Sequence, residues 1–213
     1  MLIEAILDDP INSYLLFTSG VTAEIVIGVP HHAPLGVSQL PCKEHPDADE
    51  NAGFLGYYVS QLLDCPCIVA CNYFIDSNKD KNSDYFKMID SVKPKILIEI
   101  HGHGSSFAKF DIEISSGSQE KIIWSMAMAT KLNNKMKNIP LLRDYSLSGD
   151  FSKIYYKAQK SLTITSSDWV AFHIELPKLL RQSKSQYVPF SELLTETANE
   201  VLEMVQNESQ TKK

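Results

Sequence analysis

The sequence predicts a single α/β domain with a largely parallel, mixed central sheet and helices on both faces. Two observations carry this expectation. Short apolar runs rich in β-branched residues alternate with longer stretches of helical periodicity. The runs are nearly continuous in apolar character, as expected of parallel strands covered on both faces. The length of 213 residues suits one domain, expected over 1–206, with a polar tail (NESQTKK, 207–213) expected to be disordered.

The strand-like runs are 24–29 (EIVIGV), 67–71 (CIVAC), 95–100 (KILIEI) and 172–176 (FHIEL); 110–115 (FDIEIS) and 162–165 (LTIT) are weaker candidates. Helical spacing spans 49–63, where Phe54, Tyr58 and Leu62 share a side and Asp49 suits the N-cap. It recurs over 118–136, through Ile122, Met126 and Ala129, and over 188–205, through Leu194, Ala198 and Val205.

Composition narrows the function classes. A net charge of −6 argues against broad attraction to nucleic acid or an anionic membrane surface. No apolar run approaches the roughly 20 residues that cross a bilayer. The first ten residues, MLIEAILDDP, hold acidic groups and no basic residue ahead of their apolar part, the wrong order for a secretory leader, so a cytoplasmic location is expected. Cys65, Cys67 and Cys71 lack the spacing of a structural zinc knuckle and, with Cys42, are expected as buried reduced thiols.

The polar residues are placed more tellingly. EIVIGVP runs into His31 and His32, CIVAC into Asn72, Asp76 and Asn78, and KILIEI into His101 and His103. Open α/β sheets bind ligands beyond the carboxyl ends of their strands, so these loops should converge on one edge. A catalytic zinc site needs about three His or carboxylate ligands, an open position, and a carboxylate that handles protons. PHHAPLG, PDADENAG, EIHGHG and FHIELPKLLR supply candidates for each. Glu99 alternates with His101 on one strand, where a buried carboxylate needs a partner, and orienting a metal-bound histidine would explain it.

The order VIGVPHHAP, PDADENAGFLGYYVSQLL, YFIDSNKD, ILIEIHGHG and FHIELPKLLR resembles the N-formylglutamate amidohydrolase family. It is also similar to the poly-γ-glutamate hydrolases and, more distantly, to zinc carboxypeptidases and aspartoacylases. The likeness spans most of residues 24–182 as separated motifs. It implies a phosphorylase/hydrolase-like, zinc-carboxypeptidase-like fold and one zinc ion held by His31, Asp49 and His101, with Glu50 the alternate acidic ligand. It places the general acid/base on Glu175. The family's D-x-N-R motif falls on Asp76, Asn78 and Lys79, a lysine standing where the family has arginine. Asn78, Lys79, His103 and Arg143 are the candidates for holding the substrate, and His32 is expected behind the metal ligands or facing the substrate.

The expected activity is zinc-dependent hydrolysis of an amide in an N-acyl amino acid or γ-glutamyl compound, a small molecule carrying a carboxylate. The alternative is a zinc- or ligand-binding relative of the same fold without catalysis. A serine hydrolase is disfavoured by the absence of G-x-S-x-G.

Overall fold

The computed structural model describes residues 2–104 and 106–211. The chain runs α1 (Leu2–Leu7), β1 (Tyr14–Thr18), β2 (Ile25–Ala33), β3 (Asp49–Glu50), α2 (Ala52–Leu63), β4 (Cys67–Cys71) and α3 (Asp84–Val92). It continues through β5 (Ile96–His103), β6 (Ile112–Ser115), α4 (Ile122–Met136), β7 (Leu147–Ser148), α5 (Leu162–Thr165), β8 (Val170–Pro177), α6 (Lys178–Arg181) and α7 (Lys184–Thr211). The strands form one mixed sheet in the order β1-β4-β2-β5-β8-β6-β7, with β3 added beside the end of β2. Only the β1/β4 and β6/β8 pairs are antiparallel.

Strand alternation divides the core. Ile25, Ile27, Val29, Ile98, Ile100, Phe172 and Ile174 project to one face, against α1, α2, α4 and α7. Val26, Ile68, Ala70, Leu97 and Ala171 project to the other, against Tyr85 and Ile89 of α3, Ile164 of α5 and Trp169. Side chains of opposite parity on each strand fill these two layers, as the period of two requires. All four cysteines are free and buried.

Toward the carboxyl ends the second face turns polar. Glu99 pairs in register with His173, and His101 with Glu175, across β5 and β8. Across β8 and β6, His173 meets Ser115 and Glu175 meets Glu113. Two polar rungs therefore lie directly above the apolar Leu97–Ala171 rung.

His31 joins this face through a break in alternation. Three steps along β2, from Val29 to His32, match two along β4, from Val69 to Cys71. The extra residue acts as a bulge and re-aims the side chains that follow it. Without it His31 would share the parity of Ile27 and Val29.

Several elements differ from the sequence-based expectation. Asp49 is not a helix cap: it pairs with His32 in β3, and α2 begins after Asn51, which adopts a left-handed conformation at φ 64°. The run 162–165 is a helical turn rather than a strand, because the Ser161 hydroxyl accepts from the Ile164 N–H and starts a helix. α7 continues through Thr211 across most of the expected tail, Lys212 and Lys213 lying outside the described residues. β1, at the sheet edge, and α3, capped by the Ser83 hydroxyl, are further elements.

Gly56 marks where α2 lies closest to the sheet: a Cβ there would sit 2.5 Å from Val29 Cγ2. On an exposed helix Gly→Ala stabilises by about 1 kcal/mol. Here the stiff valine cannot yield, so Gly56→Ala should destabilise the protein by about 1–3 kcal/mol. Urea unfolding checks this; a higher midpoint would mean that the helix is free to move off the sheet.

Candidate metal centre

Two imidazoles and three carboxylates meet around the carboxyl-terminal parts of β2 and β5. His31 Nδ1 lies 3.6 Å from Asp49 Oδ2, and His101 Nδ1 lies 3.2 Å from the same oxygen. His31 Nδ1 and Asp49 Oδ2 are both buried without a hydrogen-bond partner. Side chains nearly withdrawn from solvent normally satisfy such atoms. Here they converge with His101 on a common point, and these three residues form a group whose donor atoms could share one cation. Two imidazole nitrogens and a carboxylate oxygen are a donor set that zinc accepts.

The far side of each imidazole is held by a carboxylate. His31 Nε2 is 3.0 Å from Asp76 Oδ1, whose other oxygen accepts from Lys79 Nζ at 2.7 Å. His101 Nε2 faces Glu99 Oε2 at 3.4 Å. Glu99 is fully buried and is satisfied by Tyr85 (3.0 Å), Thr163 (2.7 Å) and Asn78 (3.1 Å). A carboxylate bonded to one ring nitrogen fixes a histidine's tautomer and orientation, and such a pair occurs twice here.

Electrostatics agree with a cation site. Burial alone would raise the Asp49 carboxyl, yet His101 and His31 hold it well below the usual carboxylate range. Burial would lower His101, but Asp49 and Glu99 push it up to about 10. The cluster therefore favours positive charge at its centre.

Glu175 stands apart. Its Oε2 is buried with no hydrogen-bond partner, and Oε1 is 3.4 Å from His173 Nε2. Burial pushes this carboxyl up to about 7, against the opposing pull of His101. A carboxyl that titrates near neutrality can both take and return a proton. His173 lies over His101, ring centroids 4.1 Å apart, and burial drives its imidazole toward the neutral form.

These groups line a cavity of about 860 Å³. Asn78, Lys79 and His103 face it, with His103 Nε2 2.9 Å from the Asp111 carbonyl and its ring stacked on Tyr156. Lys79 is committed to Asp76 and the Asn78 amide to Glu99, while Asn78 Oδ1 is buried without a partner. Arg143 lies outside the cavity lining, exposed beside Asp144. His32 is turned the other way: its ring nitrogens meet the Leu7 carbonyl and the Gly53 N–H at 2.9 and 3.0 Å. Glu50 spends its carboxylate on Lys178 and the Gly36 N–H.

Other residues of the site had weaker signals in the sequence. His173 shares a strand face with Glu175 two residues on, a parity cue in FHIEL. His45, stacked on His31 at 3.9 Å, comes from a loop without periodicity. Arg181 reaches the cavity from α6, and nothing in KLLR distinguishes it from a surface arginine.

No family model and no curated protein matches the sequence. Solved structures do match in fold. The Agrobacterium tumefaciens gene product Atu2144 gives a TM-score of 0.58 at 10% identity, over 92% of this chain and 97% of that one. A bacteriophage poly-gamma-glutamate hydrolase gives 0.54 at 10% identity, over 90% of each chain. An N-formylglutamate amidohydrolase from Ralstonia eutropha JMP134 gives 0.54 at 9% identity, over 91% and 98%. The chain thus shares the α/β fold of these three proteins, two of which bear the names of the groups that its motif order resembles.

Removing the Tyr85 hydroxyl isolates the network behind His101. Tyr85→Phe leaves Glu99 short of one donor in a dry environment and should cost about 1–3 kcal/mol. An unchanged denaturation midpoint would mean that water replaces the hydroxyl.

Proposed function

We propose that this chain is a zinc-dependent hydrolase that cleaves an amide bond in a small carboxylate-bearing substrate, an N-acyl amino acid or a γ-glutamyl compound. The observation that carries the reading is the convergence of His31 Nδ1, Asp49 Oδ2 and His101 Nδ1, two of them buried and unpartnered, beside the unpaired carboxyl of Glu175. The fold shared with known amide hydrolases and the motif order support the same chemistry.

His31, Asp49 and His101 would hold the ion. Zinc in such a set supplies Lewis acidity toward a water and the scissile carbonyl. Asp76 and Glu99 hold the two imidazoles with their Nδ1 atoms toward the centre. Glu175 takes a proton from the attacking water at its carboxylate and returns it to the leaving nitrogen, a role that a carboxyl poised near 7 fits at neutral pH. His173 covers His101 and limits water on that side. Asn78, Lys79 and His103 face the substrate from the cavity wall; Asn78 Oδ1 is free to accept an N–H.

A screen of N-formyl, N-acetyl and γ-glutamyl compounds with zinc-supplemented protein tests the reading. Glu175→Gln should keep stoichiometric zinc by elemental analysis while hydrolysis falls about 10²–10⁴-fold. Substantial activity in that variant would remove Glu175 from the mechanism, and native protein without zinc would overturn the metal assignment. Turnover by neither form, with equal binding, would point to a binding protein.

The residues behind the histidines make a separate prediction. Asp76→Asn keeps the shape but weakens the hold on His31, and zinc affinity should fall about 10–100-fold in competition with a chelator. Unchanged affinity would mean that Asp76 serves only Lys79.

A further inference from the structure

Arg181 is the buried cation of the cavity, and no carboxylate is paired with it among the described residues. It is 3% exposed and lines the cavity that holds Glu175 and the metal-binding group. Its Nε–H donates to the Leu176 carbonyl at 3.3 Å, and Nη1 donates to the Glu50 carbonyl. Both partners are backbone oxygens, which neutralise no charge. Among the described residues no carboxylate forms an ion pair with it; Asp49, Glu175 and Glu50 act on it only over longer range. A guanidinium carries five N–H donors, so most of its hydrogen-bonding capacity, on the Nη2 side, is left unused. Burying an unpaired charge is costly unless a partner completes it.

The surroundings are shaped around this group. The guanidinium lies against Gly102, between His101 and His103, so closely that a Cβ on Gly102 would fall 2.1 Å from Arg181 Cζ. Gly102 has no unusual backbone angle that would call for glycine; the requirement is the space that the guanidinium occupies. From behind, Asn51 Nδ2 donates to the Arg181 carbonyl and fixes the backbone that carries the side chain. The other cations facing the cavity are less available. Lys79 is paired with Asp76, Lys178 with Glu50, Lys157 sits over the Phe151 ring, and Lys160 is exposed to solvent rather than buried.

We propose that Arg181 anchors the substrate's carboxylate, making it the specificity-determining residue of this cavity. The inference rests on the hydrolase reading for the identity of the ligand, not for the geometry of the anchor. A planar fork held through Nε and Nη1, with no partner on Nη2 among the described residues, matches a two-oxygen anion in a way that an ammonium cannot. Because the fork is already fixed by backbone contacts, little side-chain freedom is lost when the anion arrives.

The test compares binding of acids with their amides, which needs no turnover. N-formylglutamate, N-acetylglutamate and γ-glutamylglutamate are each titrated calorimetrically against the fully amidated counterpart, using zinc-loaded protein. Wild type should bind at least one acid about tenfold or more tighter than its amide. Arg181→Gln should bring that ratio close to one, and Arg181→Lys should leave only part of it. Gly102→Ala, which pushes on the guanidinium from the opposite side, should lower the ratio as well. Circular dichroism and zinc content confirm that each variant is folded; if Arg181→Gln fails to fold, Arg181→Lys and Gly102→Ala carry the test. A ratio unchanged in the folded variants, or a wild type that binds acid and amide alike or binds neither, overturns the proposal. So does an equal loss of acid and amide binding, which would assign Arg181 to the scissile carbonyl or to the fold. Acid preference lost in the variants while wild type cleaves nothing would sink the hydrolase reading and leave the anchor; cleavage without acid preference would do the reverse.

Discussion

Asp49, Asp76 and Glu99 are carboxylates almost wholly removed from water, and among the described residues they are paired with the imidazoles of His31 and His101 and with Lys79. A buried carboxylate is tolerated only with partners that answer its charge, and these three are carried by separate parts of the chain: β3, the segment after β4, and β5. His31 reaches two of them and His101 reaches two, with Asp49 shared. The imidazoles therefore tie the strand ends together while leaving the Nδ1 side short of positive charge. A cation at that point would complete both the electrostatics and the hydrogen bonding, which is why the site and the local fold cannot be treated separately.

The position of the cluster follows from the topology. β2 lies between β4 and β5, so the chain leaves β2 toward one side and later returns on the other. The connection through α2 packs on one face, and the connection through α3 packs on the opposite face. Such a reversal opens a crevice beyond the carboxyl ends of the strands, here between the ends of β2 and β5. His31 and His101 occupy those two ends. The bulge in β2 then turns His31 into the crevice and sends His32 toward α2, so adjacent histidines have different surroundings.

Much of this was legible in the sequence because burial and periodicity leave a trace. CIVAC, KILIEI and FHIEL are strands since no other element of that length buries so continuous an apolar run. The convergence of His31 and His101 followed from their places just after apolar runs, although both lie within the strands those runs begin. Asp49 was found by motif, but its setting was misread: an acidic residue ahead of an apolar periodic stretch looks like a cap, and only the pairing with His32 places it in a strand. LTIT reads as a strand by β-propensity, whereas Thr163 is needed in a helical turn to reach Glu99. Arg181 had no local signal and His45 only its place just ahead of PDADENAG, because their positions depend on how distant segments fold back over the sheet.

Glu113 and Glu175 sharpen the point that residue type alone does not assign a role. They are register partners on β6 and β8 and belong to the same polar rung. Glu113 accepts four backbone N–H groups, from Lys109 and Phe110 on one oxygen and from Tyr155 and Tyr156 on the other. Those bonds pin two stretches of the cavity wall. Glu175 has no such donors: one oxygen is unpartnered and the other lies at the limit of reach from a neutral histidine. Burial pushes its carboxyl up to about 7, and no donor ties its unpartnered oxygen to the wall. Two glutamates side by side are thus divided by their hydrogen bonds, one a brace for the wall and the other left with an oxygen that nothing in the wall holds.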